Sequence, residues 1–345
     1  MDSTDSNSSE KRADHTSRRE FLTHAGLLAG GLAIFGLPTL KPSAVHAALQ
    51  TTTIAPNSML ELEGDVIPLR SVEGGFPKAD VILDPPIGVP PFVKKHVGPP
   101  RFQEIAIECS PVIPKSLSEW VTNTLSLNYL RKNGAVITTD INQVEQTRLQ
   151  FNNAVITEIG FPACEGASKD PGFLIIKCAP EITTPLAGKG TVITSKSAQK
   201  VWLKSNFRLS IPGLDCTRVS KVDAFTVKQK AAQESVGQVR DFTKQPGQLE
   251  FPNLTVTLAE AFAGTFYAWF QDMVLKGKAG EESERVGTLE LLDPTLTTPL
   301  LTITFNHLGI FAFGPEKATA GAEKIRTVKV EMYCEQITLT PGKGA

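Results

Sequence analysis

Apolar and polar residues alternate along most of the chain from about residue 57 onwards. A period of two residues is typical of strands that bury one face, because successive side chains point to opposite sides of a sheet. The clearest alternating runs are Leu60/Leu62, Phe207/Leu209/Ile211, Val222/Phe225/Val227, Leu254/Val256/Leu258, Leu289/Leu291, Leu301/Ile303/Phe305 and Val328/Val330/Met332. The pattern predicts a mainly β protein with antiparallel strands.

Two segments follow a helical period instead. The first begins with the capping-box pattern Ser116-Leu117-Ser118-Glu119. Its apolar face consists of Leu117, Trp120, Val121 and Leu125. The second follows Gly264-Thr265, and its face consists of Phe266, Trp269, Phe270, Met273 and Val274. We predict one short helix in each half of the chain, between the third and fourth strand regions, with aromatic residues that pack in the core rather than hold a cofactor.

The second half of the sequence repeats the first at a nearly constant displacement. At a displacement of 149 residues, apolar and glycine positions match apolar and glycine positions in two separate blocks, and Trp120 matches Trp269. The displacement then grows by small steps, as loop insertions produce, so that Phe151-Asn152 matches Phe305-Asn306. The chain is therefore predicted to contain two copies of one unit of roughly 125 to 135 residues, an ordinary domain size.

These observations define a predicted domain organisation. Residues 48–184 form a first β domain, 185–205 a linker rich in small residues, and 206–345 a second β domain. The predicted fold class is mainly β, with two tandem antiparallel β-barrel or sandwich domains that each contain one short helix.

The first 47 residues resemble a twin-arginine signal peptide. The sequence Ser17-Arg18-Arg19-Glu20-Phe21-Leu22 precedes an apolar stretch at 25–40, and Val45-His46-Ala47 offers small residues for cleavage after Ala47. The apolar stretch is short and rich in glycine, which disfavours an ordinary spanning helix. The resemblance implies export by the twin-arginine pathway to the periplasm or the outside. An N-terminal anchor that stays attached is the alternative.

Charge and ligand content narrow the candidate chemistry. The chain has 35 basic and 36 acidic residues, which disfavours a nucleic acid partner. Beyond residue 47 the histidines are His96 and His307, and no clustered metal-ligand or phosphate-loop motif is present. We therefore predict no catalytic, cofactor-binding or metal-binding residues, no cofactor and no enzymatic activity; His307 is interpreted as a structural turn residue at a strand end, and His96 as solvated.

Five cysteines remain after residue 47: Cys109, Cys164, Cys178, Cys216 and Cys334. A disulfide between Cys164 and Cys178 would be possible in an oxidising compartment. Three of the five (Cys109, Cys178 and Cys334) lie in strand-like runs, where buried apolar thiols are the favoured interpretation.

The second unit resembles the tail-tube fold of contractile phages, which is related to the tube proteins of type VI secretion and extracellular contractile systems. The segments that carry the resemblance are 207–213, 219–228, 254–257, 266–270, 287–293, 301–306 and 328–339. The first unit follows the same order more weakly. Three family patterns are absent. Ala259-Glu260-Ala261 replaces an expected Arg-Gly, His307-Leu308-Gly309 replaces an Ala-Trp-Pro-like sequence, and the His-Glu-Gly-like ending is missing.

The resemblance implies self-assembly, because six family subunits form a ring. Two units in one chain then suggest a pseudo-hexameric ring of three copies. Two long loops are expected between the second and third strands, one rich in proline (Pro85 to Pro100) and one polar (Lys228 to Gln248), which either cap an edge or dock a partner. The predicted function is an exported structural or assembly protein whose partner is a second copy or an envelope or extracellular protein, without a membrane span in the mature chain. The alternative is a monomeric two-domain periplasmic binding module for a protein or small ligand.

Overall fold

The computed structural model of the chain describes residues 57–84, 93–192, 201–235, 242–316 and 325–342. The predicted signal peptide at 1–47 lies outside these ranges. In the part of the chain that is described, no helix is long and apolar enough to cross a lipid bilayer.

The first domain consists of ten strands and one helix. Its strands are β1 (Asn57–Leu62), β2 (Asp65–Gly74), β3 (Pro77–Leu83), β4 (Lys95–Phe102), β5 (Ile105–Cys109), β6 (Lys132–Thr139), β7 (Glu145–Phe161), β8 (Cys164–Glu165), β9 (Leu174–Ala179) and β10 (Ile182–Ala187). Helix α1 (Lys115–Leu125) lies between β5 and β6. Strand β7 pairs with β6 and β10 along its first half and with β9 along its second half. Because β1, β2 and β5 connect β6 to β9, the sheet closes into a six-stranded barrel.

The second domain has nine strands and one helix. Its strands are β11 (Phe207–Ser210), β12 (Val219–Val222), β13 (Phe225–Ser235), β14 (Phe242–Glu250), β15 (Leu254–Ala259), β16 (Arg285–Leu292), β17 (Pro299–Pro315), β18 (Thr327–Tyr333) and β19 (Gln336–Pro341). Helix α2 (Gly264–Phe270) continues into a π-helical turn (Gln271–Leu275) between β15 and β16. Strand β17 pairs with β16 and β19 along its first half and with β18 along its second half.

The two domains have the same order of elements around one long strand. Strands β7 and β17 each contain 17 residues, and the ninth residue of each has a left-handed backbone, Asn153 with φ 50° and His307 with φ 56°. The predicted fold class, two antiparallel β domains with one helix each, is confirmed. The origin of the two domains by duplication stays a prediction.

The helices bury most of the predicted apolar faces, and Phe270 in the second helix is half-buried. Leu117, Trp120, Val121 and Leu125 are all buried in the first domain, as are Phe266, Trp269 and Met273 in the second, whereas Val274 is exposed. The capping-box prediction is wrong, because α1 begins after Pro114 and the buried hydroxyl of Ser116 has no hydrogen-bond partner. Each helix also follows the fifth strand of its own domain rather than the third. The reason is that the two predicted long loops contain strands.

Those predicted loops are hairpins. Strands β3 and β4 form a separate two-stranded sheet in which Pro100 lies opposite Ala79, and β13 pairs with β14. Proline is tolerated in β4 because, among the described strands, one of its edges has no neighbour that would need its missing N–H group. The residues that join β3 to β4, from Pro85 to Pro91, lie outside the described ranges.

The segment predicted as a linker is partly built into the domains. Residues 185–187 belong to β10, and Trp202 is buried, with its Nε1 donating to the carbonyl of Asn206 at 2.8 Å. The structure holds all five cysteines as free thiols, so the possible Cys164–Cys178 disulfide is not formed in it, and the predicted buried thiols Cys109, Cys178 and Cys334 are confirmed. Burial raises the pKa of Cys109, Cys164 and Cys178 to about 12, which makes them unreactive apolar residues.

Candidate assembly interface

The two domains are joined by strand pairing. The start of β13, from Phe225 to Lys228, pairs antiparallel with the end of β7, from Glu158 to Phe161. The rings of Phe161 and Phe225 are buried and stack with their centroids 4.8 Å apart. Strands β12 and β8 add a second, shorter pairing across the same junction. One continuous sheet therefore passes from the first domain into the second.

Helix α1 contributes the second contact between the domains. It packs against β19, the last strand of the second domain. Seven of its eleven residues are buried, and Val121 and Leu125 are each only 1% exposed. The second domain therefore covers a helix face that would otherwise meet water.

The third contact is a polar clamp on β14. Arg131 donates from Nη2 to the backbone carbonyl of Lys244 at 2.8 Å, and the backbone N–H of Lys244 donates to Glu181 Oε1 at 3.0 Å. Asn153 Nδ2 donates to the other carboxylate oxygen of Glu181 at 2.9 Å. Lys244 is buried, and burial lowers the pKa of its side chain. The first domain thus holds one β14 residue by both of its main-chain polar groups.

The end of β7, helix α1 and the polar clamp together form what we call the covered face of the first domain. Its counterpart in the second domain, the open face, consists of the end of β17, helix α2 and the residues that flank β16 and β19. From Gly309 to Pro315, β17 has one neighbour, β18, among the described strands. The elements that carry the contacts in the first domain thus have no such cover in the second from the described residues.

Exposure of the two helices shows the difference directly. Val274 occupies the helix position of Leu125 and Tyr267 that of Ser118, yet both are 43% exposed. The rings of Tyr267, Phe270 and Phe313 lie within 6.5 Å of one another, centroid to centroid. They form an aromatic patch where α2 meets the unpaired edge of β17. A partly exposed aromatic cluster beside an open strand edge is typical of a surface that binds another protein.

Strand β3 is the first domain's counterpart of β13, because each opens the long hairpin that precedes the last strand before the helix. Whereas Phe225 is buried against β7, Phe76, which immediately precedes β3, is 63% exposed. Within the described ranges β3 pairs with β4 alone. The described strands therefore include two open edges that correspond to the two sides of the chain's own internal junction.

A hydrogen-bonded group of ionisable residues lies on the open face. Glu284 accepts from Tyr333 Oη at 2.8 Å, and its other oxygen lies 2.8 Å from His307 Nδ1. The hydrogen bond from Tyr333 lowers the pKa of Glu284, and Glu284 raises that of His307. Burial, with Glu284 beside it, raises the pKa of Tyr333 to about 12. Glu284, His307 and Glu335 each place a possible metal-ligand atom within 4.8 Å of the others, but both oxygens of Glu284 already have hydrogen-bond partners.

The two histidines singled out in the sequence lie apart from each other in the fold. His307 is in the middle of β17 rather than at a strand end, so the position given to it was wrong. His96 is in β4, exposed, with Nδ1 3.1 Å from a carboxylate oxygen of Asp84. The sequence did not single out Glu284 or Glu335. Only their positions could have identified them from the sequence. Each immediately precedes a strand, as Arg131 and Glu181 do in the first domain.

No protein-family model matches the chain, and no curated protein matches it. Solved structures do. A chain of the sheath–tube complex of the extracellular contractile injection system PVC is 16% identical, with a TM-score of 0.33, over 39% of this chain and 88% of its own length. A chain of the tube-terminating cap of the anti-feeding prophage is 16% identical, with a TM-score of 0.34, over 39% of this chain and 88% of its own length. Hcp1 from Flavobacterium johnsoniae is 12% identical, with a TM-score of 0.24, over 39% of this chain and 95% of its own length. Each is a likeness of fold over about the length of one domain.

Proposed function

We propose that the protein is a structural assembly protein whose copies associate head to tail. The observation that carries the proposal is the internal junction, in which one domain covers a face of the other by strand pairing, helix packing and a polar clamp. The second domain presents the same elements uncovered, and the first domain presents the unpaired β3. Association would repeat the internal junction between chains, with β3 of one copy beside the end of β17 of the next.

A head-to-tail contact either closes into a ring or continues as a filament. If the two junctions have the same geometry, three chains place six domains around one axis. The resemblance of the sequence to ring-forming tube proteins favours this closed form. We therefore propose a trimeric, pseudo-hexameric ring, in which both domains of each chain occupy equivalent positions.

The junction between chains is expected to be weaker than the junction within a chain. Its two edges contain Pro77 and Pro315, whereas the matching residues within the chain are Thr226 and Phe161. Proline has no N–H group to donate to a neighbouring strand. Covalent linkage also removes the translational and rotational cost that separate chains bear. Association should therefore depend on protein concentration.

Light scattering after size exclusion, on residues 48–345 at several concentrations, tests the proposal. We expect the mass to rise with concentration towards three times that of one chain, and negative-stain images to contain rings. A mass that stays at one chain up to the highest soluble concentration would overturn self-assembly. The monomeric two-domain binding module, with the aromatic patch as its docking surface, would then be the better function.

We further propose that residues 1–47 direct export by the twin-arginine pathway, to the periplasm or the outside. The paired Arg18 and Arg19 before Phe21-Leu22 support this proposal. Replacing both arginines by lysine in the full chain should abolish export, measured as the fraction of protein in the periplasmic or culture fraction. Arg12→Lys, a change of the same kind outside the paired arginines, is the control. Export that survives the first change but not an inhibitor of the general secretory route would contradict the proposal.

A further inference from the structure

We propose that the acidic group around His307, formed by Glu284 and Glu335, receives the basic start of strand β4 from a second copy of the chain. That basic segment consists of Lys94, Lys95 and His96, all exposed. The inference rests on the proposed head-to-tail association and specifies which charged residues meet in it.

Position in the fold identifies the acidic group as the counterpart of the polar clamp. Glu284 immediately precedes β16 as Arg131 precedes β6, and Glu335 precedes β19 as Glu181 precedes β10. The backbone makes the same bond in both domains, because the N–H of Glu181 donates to Asn152 at 3.1 Å and that of Glu335 to Asn306 at 3.3 Å. The acidic group thus lies where the first domain clamps β14.

Comparison of the two long hairpins identifies the segment of the second copy that meets the acidic group. In the first domain the clamp holds Lys244, near the start of β14, which is the second strand of its hairpin. The second strand of the other hairpin is β4, which begins at Lys95. A copy that places β3 beside β17 as β13 lies beside β7 also brings the start of β4 to the acidic group. The segment expected there carries two lysines and a histidine.

The charges of the two sides are complementary. Where the first domain has the cation Arg131, which donates to a backbone carbonyl, the second domain has Glu284, which only accepts. The side chains of Glu335 and Glu281 lie near enough that they, with Glu284, raise the pKa of His307. The described residues of the hairpin that carry charge include four basic side chains, Lys78, Lys94, Lys95 and Arg101, against the acidic Asp80 and Asp84. A basic hairpin and an acidic recess favour one partner and one register.

Charge reversal on each side, alone and combined, tests the inference in the whole mature chain. We expect Lys95→Glu and Glu284→Lys each to weaken association about tenfold or more at low salt. A chain that carries both changes should recover most of the loss, because every junction then contains one reversed charge from each side. The measurement is the association constant from sedimentation equilibrium. The control for Glu284→Lys is Glu119→Lys, an exposed helix residue whose replacement changes the net charge by the same amount.

The outcomes separate this inference from the proposed function. If the unaltered protein associates but Lys95→Glu changes its association constant less than twofold, the charge pairing is wrong while self-assembly stands. If single reversals weaken association but the combined chain does not recover, the two sites do not meet. If the unaltered protein stays monomeric, self-assembly and the pairing both fail. Lys95 is exposed, so its variant keeps the test valid even if Glu284→Lys does not fold.

Discussion

Replacing Tyr267 and Phe270 together by serine should leave the purified protein folded but weaken its association about 100-fold or more. The aromatic patch on α2 lies beside the open edge of β17, and Tyr267 is 43% exposed in the single chain. Large aromatic residues at the centre of an interface commonly contribute about 2 kcal/mol or more each. Association is measured by sedimentation equilibrium, and folding by the thermal unfolding midpoint.

The chain offers matched controls for this result. Leu296 is also exposed but lies in the turn between β16 and β17, so Leu296→Ser should leave association unchanged. Val121 occupies in α1 the helix position of Phe270 and is 1% exposed, so Val121→Ser should lower the unfolding free energy by about 2 kcal/mol. If the double serine variant associates as tightly as the unaltered protein, the open face is not the interface.

Replacing Trp202 by alanine should lower the free energy of unfolding by about 3 to 5 kcal/mol, as removal of a fully buried tryptophan commonly does. The side chain is 1% exposed and lies against Gly172. Its removal also takes the indole N–H from the carbonyl of Asn206. Chemical denaturation, monitored by the backbone circular dichroism signal in the far ultraviolet, measures the change.

A conservative variant separates packing from the hydrogen bond. Trp202→Phe retains much of the apolar volume and loses the indole donor, so we expect about half the loss or less. A free linker would behave differently, because alanine at an unpacked position changes stability by about 0.5 kcal/mol or less. An unchanged denaturation midpoint for Trp202→Ala would therefore mean that residues 201–205 are an unpacked linker, as the sequence predicted.

The sequence predicts those strands that bury one face against a core. Val328, Val330 and Met332 alternate with polar residues, and all three are buried in β18. Strand β3 escapes the same reasoning, because almost every residue in it is exposed. A two-stranded sheet with no core beneath it imposes no alternation, so the proline-rich hairpin looks like a loop. Trp202 was missed for the opposite reason, since a single buried residue in a polar segment has no period.

The candidate interface could be predicted only in part. The helix faces around Trp120 and Trp269 follow from the spacing of apolar residues. The two faces differ in whether another part of the chain packs over them. That packing depends on contacts between residues far apart in the sequence. Val274 fits the same apolar pattern as Leu125, but Val274 is 43% exposed and Leu125 only 1%. Glu284 and Glu335 are single charges beside strands, and they gain meaning only when the clamp around Lys244 is known.

The sheet that crosses the domain boundary has a consequence for synthesis of the chain. All strands of the first barrel are made by Ala187, so this domain can fold before the second exists. The edge of β7 at Glu158 to Phe161 then stays bare until Phe225 to Lys228 are made, for roughly 2 to 8 s at the ordinary rate of translation. During that time the nascent chain presents an apolar edge to other nascent chains. The internal junction therefore shortens the period in which the edge can pair with the wrong neighbour.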